Sequence, residues 1–141
     1  MNNVNSCGIL IKRIHDSLQK EANNSLRSSD LTMVQLSTLF FLNELPERQS
    51  SMKEIERYLH IAQSTATGIV SRLEQKGFVE TFGSADDKRV KMVRIAKSGT
   101  ECCNTAQIYM EQAERNLLYG LTADEQKQFF MLLSKVSKTM Q

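Results

Sequence analysis

Apolar residues recur at helical spacing along most of the chain. Near its start they follow an i, i+4, i+7 pattern, which predicts an amphipathic helix of about six turns over residues 4–27. The stripe of this helix comprises Cys7, Leu10, Ile11, Ile14, Leu18, Ala22 and Leu26. A second helix is predicted to begin at Thr32, because Thr32 and Gln35 match a capping box, and to close at Pro46. Its predicted buried side is Leu36, Leu39, Phe40 and Leu42.

The middle of the chain predicts two short helices joined by a three-residue turn. Ser51 and Glu54 match a second capping box, residues 60–62 form the turn, and the next helix runs over residues 63–76. The apolar face of this last helix is Ala66, Ile69, Val70 and Leu73, and its outward face is Ser64, Thr65, Thr67, Ser71 and Arg72.

A hairpin is predicted to follow at once. Gly77 suits the left-handed position after a helix, with Phe78 folding back as the contact of a Schellman motif. Residues 78–82 and 90–95 alternate well enough for two antiparallel strands, and residues 86–91 give the tip a basic sequence. A helix-turn-helix with such a wing is most commonly used to read duplex DNA.

The two ends of the chain predict a dimer. After Gly99 a single apolar stripe continues to Leu117, and a third capping box, Thr122 with Glu125, opens the last helix. The winged segment offers no obvious surface to cover these terminal helices, so we expect them to pack against a second copy. The winged helix-turn-helix segments of the two copies would then lie about 34 Å apart, which is one turn of DNA.

The predicted fold is therefore mainly α with a small β wing. We expect a single domain over residues 1–141, in which residues 31–97 form the winged helix-turn-helix DNA-binding region. Residues 1–30 and 98–141 are the expected dimerisation helices.

Charge supports this prediction only weakly. The formal net charge is +2 over 141 residues, but residues 46–97 hold ten Lys or Arg against seven Asp or Glu, while the flanking segments are nearly balanced. The basic excess thus lies in the winged segment. One proline, six glycines and the absence of low-complexity runs argue against a disordered protein.

Cysteine usage indicates a reducing compartment. Three cysteines are an odd number and Cys102 and Cys103 are adjacent, which argues against a disulfide framework. The polar start of the chain does not resemble a signal peptide, and no apolar stretch is long enough to span a bilayer. We therefore expect a cytoplasmic protein that does not associate with a membrane.

Enzymatic signatures are missing from the sequence. It has no phosphate-binding glycine loop, dinucleotide fingerprint or nucleophile with a paired acid and base, and its histidines and thiols show no zinc-ligand spacing. The expectation is a protein that is not an enzyme and has no metal and no cofactor.

Several local motifs together resemble one known family. They are Leu31-Thr-x-x-Gln35, Ser64-Thr-Ala-Thr67, Leu73-Glu-Gln-Lys-Gly77, and Asp87-Lys88-Arg89 followed by a basic-apolar strand and Gly99. In these, and over nearly its whole length, the chain resembles the MarR family of winged-helix transcription regulators. It departs at Ala96, where that family usually has Thr, and so loses an N-cap worth about 1 kcal/mol. Ser98 or the preceding strand could offset this loss.

The resemblance implies roles for particular residues. Arg89 would enter the minor groove, oriented by an ion pair with Asp87, because narrow minor grooves concentrate negative potential. The start of the recognition helix would face the major groove, and nearby basic residues would lie at phosphates. The predicted DNA-binding residues are Gln63, Ser64, Thr65, Thr67, Ser71, Arg72, Asp87, Lys88, Arg89 and Lys91.

The expected function is regulation of transcription by a homodimer that binds a pseudo-palindromic duplex operator, by family habit as a repressor. A small ligand or stress signal would shift the population between states of different DNA affinity. Its cleft, between the dimer helices and the winged head, is predicted to be lined by Ile11, His15, Phe40, Tyr109 and Met110.

Two alternatives remain at this stage. Winged helices also bind proteins, so the chain could be a protein-interaction adaptor. One MarR branch senses peroxides through a cysteine near the first helix, and Cys7 lies close to that position. Because Cys7 is slightly displaced and the tyrosines of that branch are missing, we expect a small buried hydrophobe there instead.

Overall fold

The computed structural model describes residues 6–26 and 30–141, which form six α-helices and one three-stranded antiparallel sheet. This confirms the predicted class, mainly α with a small β wing. The predicted helix ends at residues 4, 5 and 27 lie outside the described residues. The elements are α1 Cys7–Leu26, α2 Met33–Glu44, β1 Gln49–Ser51, α3 Met52–Leu59, α4 Gln63–Gln75, β2 Val79–Gly83, β3 Lys91–Ile95, α5 Lys97–Leu118 and α6 Ala123–Thr139.

The chain divides into two compact units, one up to Tyr109 and one from Met110 to Gln141. The first contains α1 to α4, the sheet and the first part of α5. Its core is built from side chains of α1 to α5, β2 and β3. The most completely buried large apolar ones are Leu39, Leu42, Ile55, Val70, Leu73 and Val93.

Helix α2 begins at the predicted capping box. The Thr32 hydroxyl oxygen accepts from the Gln35 amide at 3.2 Å, and the Thr32 amide donates to the Gln35 side chain at 3.1 Å. These two bonds satisfy helix-end donors that would otherwise be unpaired. Leu36, Leu39 and Leu42 are buried as predicted, and Phe40 is half-buried against the same core.

The capping box predicted for α3 is only half formed. Ser51 accepts from the Glu54 amide at 3.2 Å, but the Glu54 carboxylate accepts from the Ser50 hydroxyl at 2.9 Å instead of returning to Ser51. The reason is tertiary, because Ser50 and Ser51 belong to β1, whose pairing presents the Ser50 hydroxyl to Glu54.

The turn between α3 and α4 uses a residue in the left-handed region. His60 has φ 54° and ψ 46°, and the following Ile61 amide donates to the Glu56 carbonyl at 3.3 Å. Nearby, the rings of Phe41 and Tyr58 stack with centroids 4.2 Å apart and tie α2 to α3.

The end of α4 confirms the predicted Schellman motif. Gly77 has φ 81°, its amide donates to the Glu74 carbonyl at 2.9 Å, and the Phe78 amide donates to the Leu73 carbonyl at 2.9 Å. Only three residues, 76–78, therefore separate the end of α4 from the start of β2.

The sheet has one strand more than the predicted hairpin. Its order is β1-β3-β2, and the short β1 pairs antiparallel with β3 at Ser50 and Val93. The sequence of β1 is polar and only three residues long, so no alternation marks it, and pairing with β3 alone makes it a strand.

Helix α5 starts against the turn that ends α4. The Ala96 amide donates to the Phe78 carbonyl at 2.8 Å, and the Ser98 hydroxyl donates to the Gly77 carbonyl at 2.7 Å. Ser98 thus does not replace the missing helix cap at Ala96 but fastens the helix to the turn. A Cβ on Gly99 would lie 2.4 Å from the Phe78 carbonyl oxygen, which explains the glycine.

The second unit contains the end of α5 and α6. The predicted capping box at the start of α6 is present, with Thr122 accepting from the Glu125 amide at 3.2 Å and Glu125 accepting from the Thr122 amide at 2.9 Å. The Gln126 side chain closes the connection by donating to the Leu118 carbonyl at 3.2 Å. The large apolar residues exposed along α6 are Phe130, Met131, Leu132, Leu133 and Val136, and Met140 at its C-cap is exposed as well.

Helix α1 likewise leaves most of its stripe uncovered in the single chain. Leu10, Ile11 and Ile14 are exposed, whereas Leu26 at the C-terminal end of the helix is buried in the core. Among residues 6–26 and 30–141, no helix combines the length and the apolar content that crossing a membrane requires.

Two helical glycines provide a matched test of the contact between α5 and the turn. Replacing Gly68, which has open space around its Cβ position, by alanine should raise the free energy of unfolding by about 0.5–1 kcal/mol through helix propensity. Gly99→Ala gains the same propensity but meets the Phe78 carbonyl and Ile95, so it should lower stability by about 1–3 kcal/mol. Urea unfolding of both variants measures the difference. Equal stabilisation by the two would show that the contact is loose.

Candidate nucleic-acid interface

Helix α4 is held by one face and exposes the other. Ala66, Val70 and Leu73 are buried, and Ile69 packs against the core, as predicted. All five side chains predicted on the outward face are exposed, namely Ser64, Thr65, Thr67, Ser71 and Arg72. Gln63, the other residue of α4 predicted to bind DNA, is exposed as well. Anchoring by the apolar face leaves these polar side chains accessible along the helix.

The N-terminus of α4 has no side-chain cap. Ala62 occupies the N-cap position, and it has no side-chain oxygen to accept from the first amides of the helix. Free helix-end amides carry partial positive charge and suit a phosphate oxygen. Three hydroxyl residues, Ser64, Thr65 and Thr67, lie within the first turns of this helix.

The wing tip is organised by one aspartate. The Asp87 carboxylate accepts from the Arg89 backbone amide at 3.0 Å, from Arg89 Nε at 3.2 Å and from an Arg89 terminal nitrogen at 3.4 Å. The ion pair expected from the resemblance is therefore present. The Arg89 side chain is 92% exposed, so it is oriented while its outer edge stays available.

These hydrogen bonds also hold the carboxylate in its ionised form. The pKa of Asp87 is lowered by the Arg89 backbone amide first and by the Arg89 side chain second. Since an ionised carboxylate is the better acceptor, the arrangement persists through the neutral range.

The hairpin that carries the tip closes tightly. The Ser84 amide donates to the Val90 carbonyl at 2.9 Å, and a Cβ on Gly83 would lie 3.0 Å from the Lys88 carbonyl oxygen. Lys88 and Lys91 are both exposed, as their predicted positions near phosphates require. The wing thus presents three cations, Lys88, Arg89 and Lys91, on a short and constrained hairpin.

A further wing arginine is occupied within the sheet. Arg94 pairs with Glu80 at 3.2 Å and lies 4.8 Å from the centre of the Phe82 ring. These contacts hold Arg94 on the sheet, in contrast to the open edge of Arg89.

Ser71 and Arg72 border a groove of about 730 Å³ beside α4. The groove runs between the C-terminal end of α1, the start of α2 and the outer face of α4, and Lys76 supplies a second cation. Its lining is Asn23, Leu26, Asp30, Leu31, Thr32, Gln35, Gly68, Ser71, Arg72, Gln75 and Lys76.

The residues predicted for an effector cleft do not line this groove. In the first unit Ile11, His15 and Tyr109 are exposed, and Phe40 is half-buried against the core. Met110 is exposed in the second unit. The cleft remains a prediction.

The three thiols differ in environment. Cys7 is exposed, so the expectation of a buried side chain is wrong for the single chain, because the stripe it belongs to has no core to pack on there. Both thiols of α5 pack on the core: Cys103 is buried, and Cys102, which the helical spacing places on the apolar stripe, is half-buried. Burial raises the pKa of both, and that of Cys103 reaches about 11. Over the described residues no three His, Cys, Asp or Glu side chains gather as a metal site.

One acidic residue of α4 was not singled out from the sequence. The Glu74 carboxylate accepts from the backbone amide and the hydroxyl of Thr81 in β2. Glu74 stands within the Leu-Glu-Gln-Lys-Gly motif, but nothing in the motif itself indicates a partner on the following strand.

An anchored helix with an exposed polar face, followed by a basic wing, defines a winged helix-turn-helix. The family model described as "MarR family" matches residues 29–90. An uncharacterized HTH-type transcriptional regulator, YwoH of Bacillus subtilis, is 31% identical over 130 residues, covering 90% of this chain and 92% of that protein. The chain belongs to the MarR family, and it is a DNA-binding transcriptional regulator.

Other relatives agree with this assignment. The HTH-type transcriptional repressor IacR of Pseudomonas putida is 29% identical over 126 residues, covering 89% of this chain and 74% of that protein. The structure of MarR from E. coli without DNA superposes with a TM-score of 0.79 at 26% identity, covering 96% of this chain and 98% of the other. A cysteine-to-serine mutant of the same protein in complex with operator DNA gives a TM-score of 0.74, covering 96% of each chain.

The titration of Asp87 tests the wing-tip geometry. Because the pKa of Asp87 is lowered, its carboxylate stays ionised and paired with Arg89 at pH values where an ordinary aspartate is already becoming protonated. The pair is lost only when the pH falls through the lowered pKa. In a carboxyl-detected NMR titration, Asp87 should titrate below an ordinary aspartate. Arg89→Ala should raise the midpoint only part of the way, because the backbone amide still donates. Lys88→Ala, the matched control, should move it little, and an equal effect of both variants would contradict the specific pairing.

Proposed function

We propose that this chain acts as a homodimeric repressor that binds a pseudo-palindromic duplex site and releases it when a small ligand or stress signal binds. Helix α4 would read the major groove through Gln63, Ser64, Thr65 and Thr67, and Arg89 would enter the adjacent minor groove. Ser71, Arg72, Lys88 and Lys91 would lie at or near the phosphate backbone.

The observation that carries this proposal is the pairing at the wing tip. A guanidinium at the surface gains little from orientation unless it has a target outside the chain. Two hydrogen bonds from the guanidinium and one from the backbone amide nevertheless hold Arg89 on Asp87. An arginine whose charge is oriented but not neutralised by burial suits the negative potential of a narrow minor groove.

The exposed apolar faces of α1 and α6 support the homodimer. Large side chains such as Phe130, which is 70% exposed, are uncovered within their own unit. Burial of apolar surface between two copies would remove it from water, and a twofold arrangement would place two α4 helices on successive turns of one duplex.

The oligomeric state can be tested with a charge placed in the α6 stripe. Wild-type protein should sediment at twice the chain mass of 16.0 kDa, and Phe130→Glu should shift it towards the monomer and weaken operator binding, since a carboxylate would be buried without a partner. Gln128→Glu, an exposed polar position on the same helix, serves as the control and should leave the dimer intact. A wild-type monomer at micromolar concentration would contradict the proposal.

The ligand would act by binding more tightly to one of two arrangements of the winged segments, namely the arrangement that has the lower affinity for DNA. We retain Ile11, His15, Phe40, Tyr109 and Met110 as the proposed effector residues. The exposure of Ile11 and Tyr109 in the first unit leaves apolar and hydroxyl groups available to a small molecule.

Two rival functions make different expectations. A protein-interaction adaptor would show no affinity for duplex DNA even at low salt, whereas a DNA-binding head should show affinity that falls linearly in a log–log plot against salt. A thiol-based peroxide sensor would release DNA on peroxide treatment and lose this response with Cys7→Ser. The exposure of Cys7 makes that experiment worthwhile, because an accessible thiol is a prerequisite for sensing.

Replacing Arg89 tests the wing directly. Arg89→Ala should weaken operator affinity about tenfold and reduce the salt slope by about one, since one cationic contact is lost. Lys12→Ala removes the same charge from α1, where Lys12 pairs with Asp16 at 2.8 Å, and should leave affinity nearly unchanged. Fluorescence anisotropy with an inverted-repeat duplex provides the measurement. Equal effects of the two substitutions would remove the wing from the mechanism.

A further inference from the structure

The recognition helix and the wing are joined by one carboxylate. Glu74, in the last turn of α4, accepts from the Thr81 backbone amide at 2.8 Å and from the Thr81 hydroxyl at 2.5 Å. Thr81 is the middle residue of β2, so this link spans from the helix across the Gly77 turn to the strand that carries the wing.

The Thr81 backbone amide that donates to Glu74 belongs to a strand at the edge of the sheet. Since the sheet order is β1-β3-β2, β2 pairs with β3 on one side only, and its other edge leaves amides without strand partners. An edge amide that is capped by a helix side chain resists pairing with other chains and fixes the strand relative to the helix. The Glu74 bond therefore adds a contact between β2 and α4 that the pairing of β2 with β3 does not supply.

The carboxylate is ionised and its hydrogen bonds are therefore strong. The Thr81 hydroxyl, followed by the Thr81 amide, lowers the pKa of Glu74, and Lys91 lowers it further. Lys91 is also a proposed phosphate contact, so Glu74 places a negative charge close to the surface that would meet DNA. A negative charge there opposes phosphate binding, and its presence calls for a compensating benefit.

We propose that Glu74 is a positioning residue for DNA binding, which fixes the wing relative to α4 so that Arg89 and the polar face of α4 engage one duplex together. This inference rests on the proposed function. The base of the hairpin stays anchored, because Val79 and Val93 are buried in the core and β3 also pairs with β1. If the link is lost, the outer part of the hairpin loses its contact with α4, and Arg89 then reaches the minor groove only at an entropic cost.

A double-mutant cycle distinguishes positioning from charge. In wild-type background Arg89→Ala should cost about tenfold in operator affinity, but in a Glu74→Ala background the same change should cost no more than about threefold, since a misplaced wing has little contact left to lose. Glu74→Ala alone should weaken binding. If Glu74 acted only through its charge, its removal would tighten binding and the two effects would multiply, and either result would overturn the proposal.

The same strand offers a matched control. Glu80 is also an acid on β2, but it pairs with Arg94 across the sheet at 3.2 Å and not with α4. Glu80→Ala should therefore leave the full cost of Arg89→Ala. Thr81→Val removes the hydroxyl donor and should weaken operator binding, and Thr81→Ser should restore it.

Orientation can also be measured without DNA. In wild type and Glu80→Ala, residual dipolar couplings of the wing amides should fit the same alignment as those of α4, and in Glu74→Ala they should not. Unchanged couplings in Glu74→Ala would refute the positioning role even where DNA binding changes. A wild-type protein without duplex affinity would refute the proposed function instead, and the couplings would then still decide whether Glu74 orients the wing.

Discussion

At Gly77 the chain leaves α4 in the left-handed region and enters β2 one residue after Phe78. The Gly77 carbonyl accepts from the Ser98 hydroxyl, and the Phe78 carbonyl accepts from the Ala96 amide. Helix α5 therefore begins on the same turn. Gly99 has to lack a Cβ for the helix to approach the Phe78 carbonyl. Helix α4, the wing and α5 thus share one short segment, and the placement of the exposed face of α4 relative to the wing depends on it.

Acidic side chains fix the positions of residues in the basic wing and of the strand that leads into it. Asp87 holds both the backbone and the guanidinium of Arg89, and Glu74 holds both donors of Thr81. Each carboxylate reduces the local positive potential, but each also restricts an exposed element that would otherwise sample many orientations. The total charge of +2 is consequently a poor guide to such an interface. The distribution of fixed cations matters more than their number.

The two units differ in how their apolar residues are covered. In the first, side chains from α2, α3, α4 and the sheet bury one another, and the head has a core of its own. In the second, α6 exposes large apolar side chains, and α1 of the first unit exposes Leu10 and Ile11. These exposed stripes on α1 and α6 are the observation that supports the proposed homodimer.

Local physics made much of this protein predictable from its sequence. The boxes at Thr32 and Thr122, the Schellman turn at Gly77 and the Asp87–Arg89 pair all join residues at most five apart, and short separations leave few alternatives. Only the tertiary structure decided that the polar residues of β1 form a strand and that Glu54 turns to Ser50. It also decided that Cys103 is buried more completely than Cys102 and that Glu74 reaches Thr81. These features depend on which elements come together in space, and an amino-acid pattern records the faces of each element but not the neighbour that each face will meet.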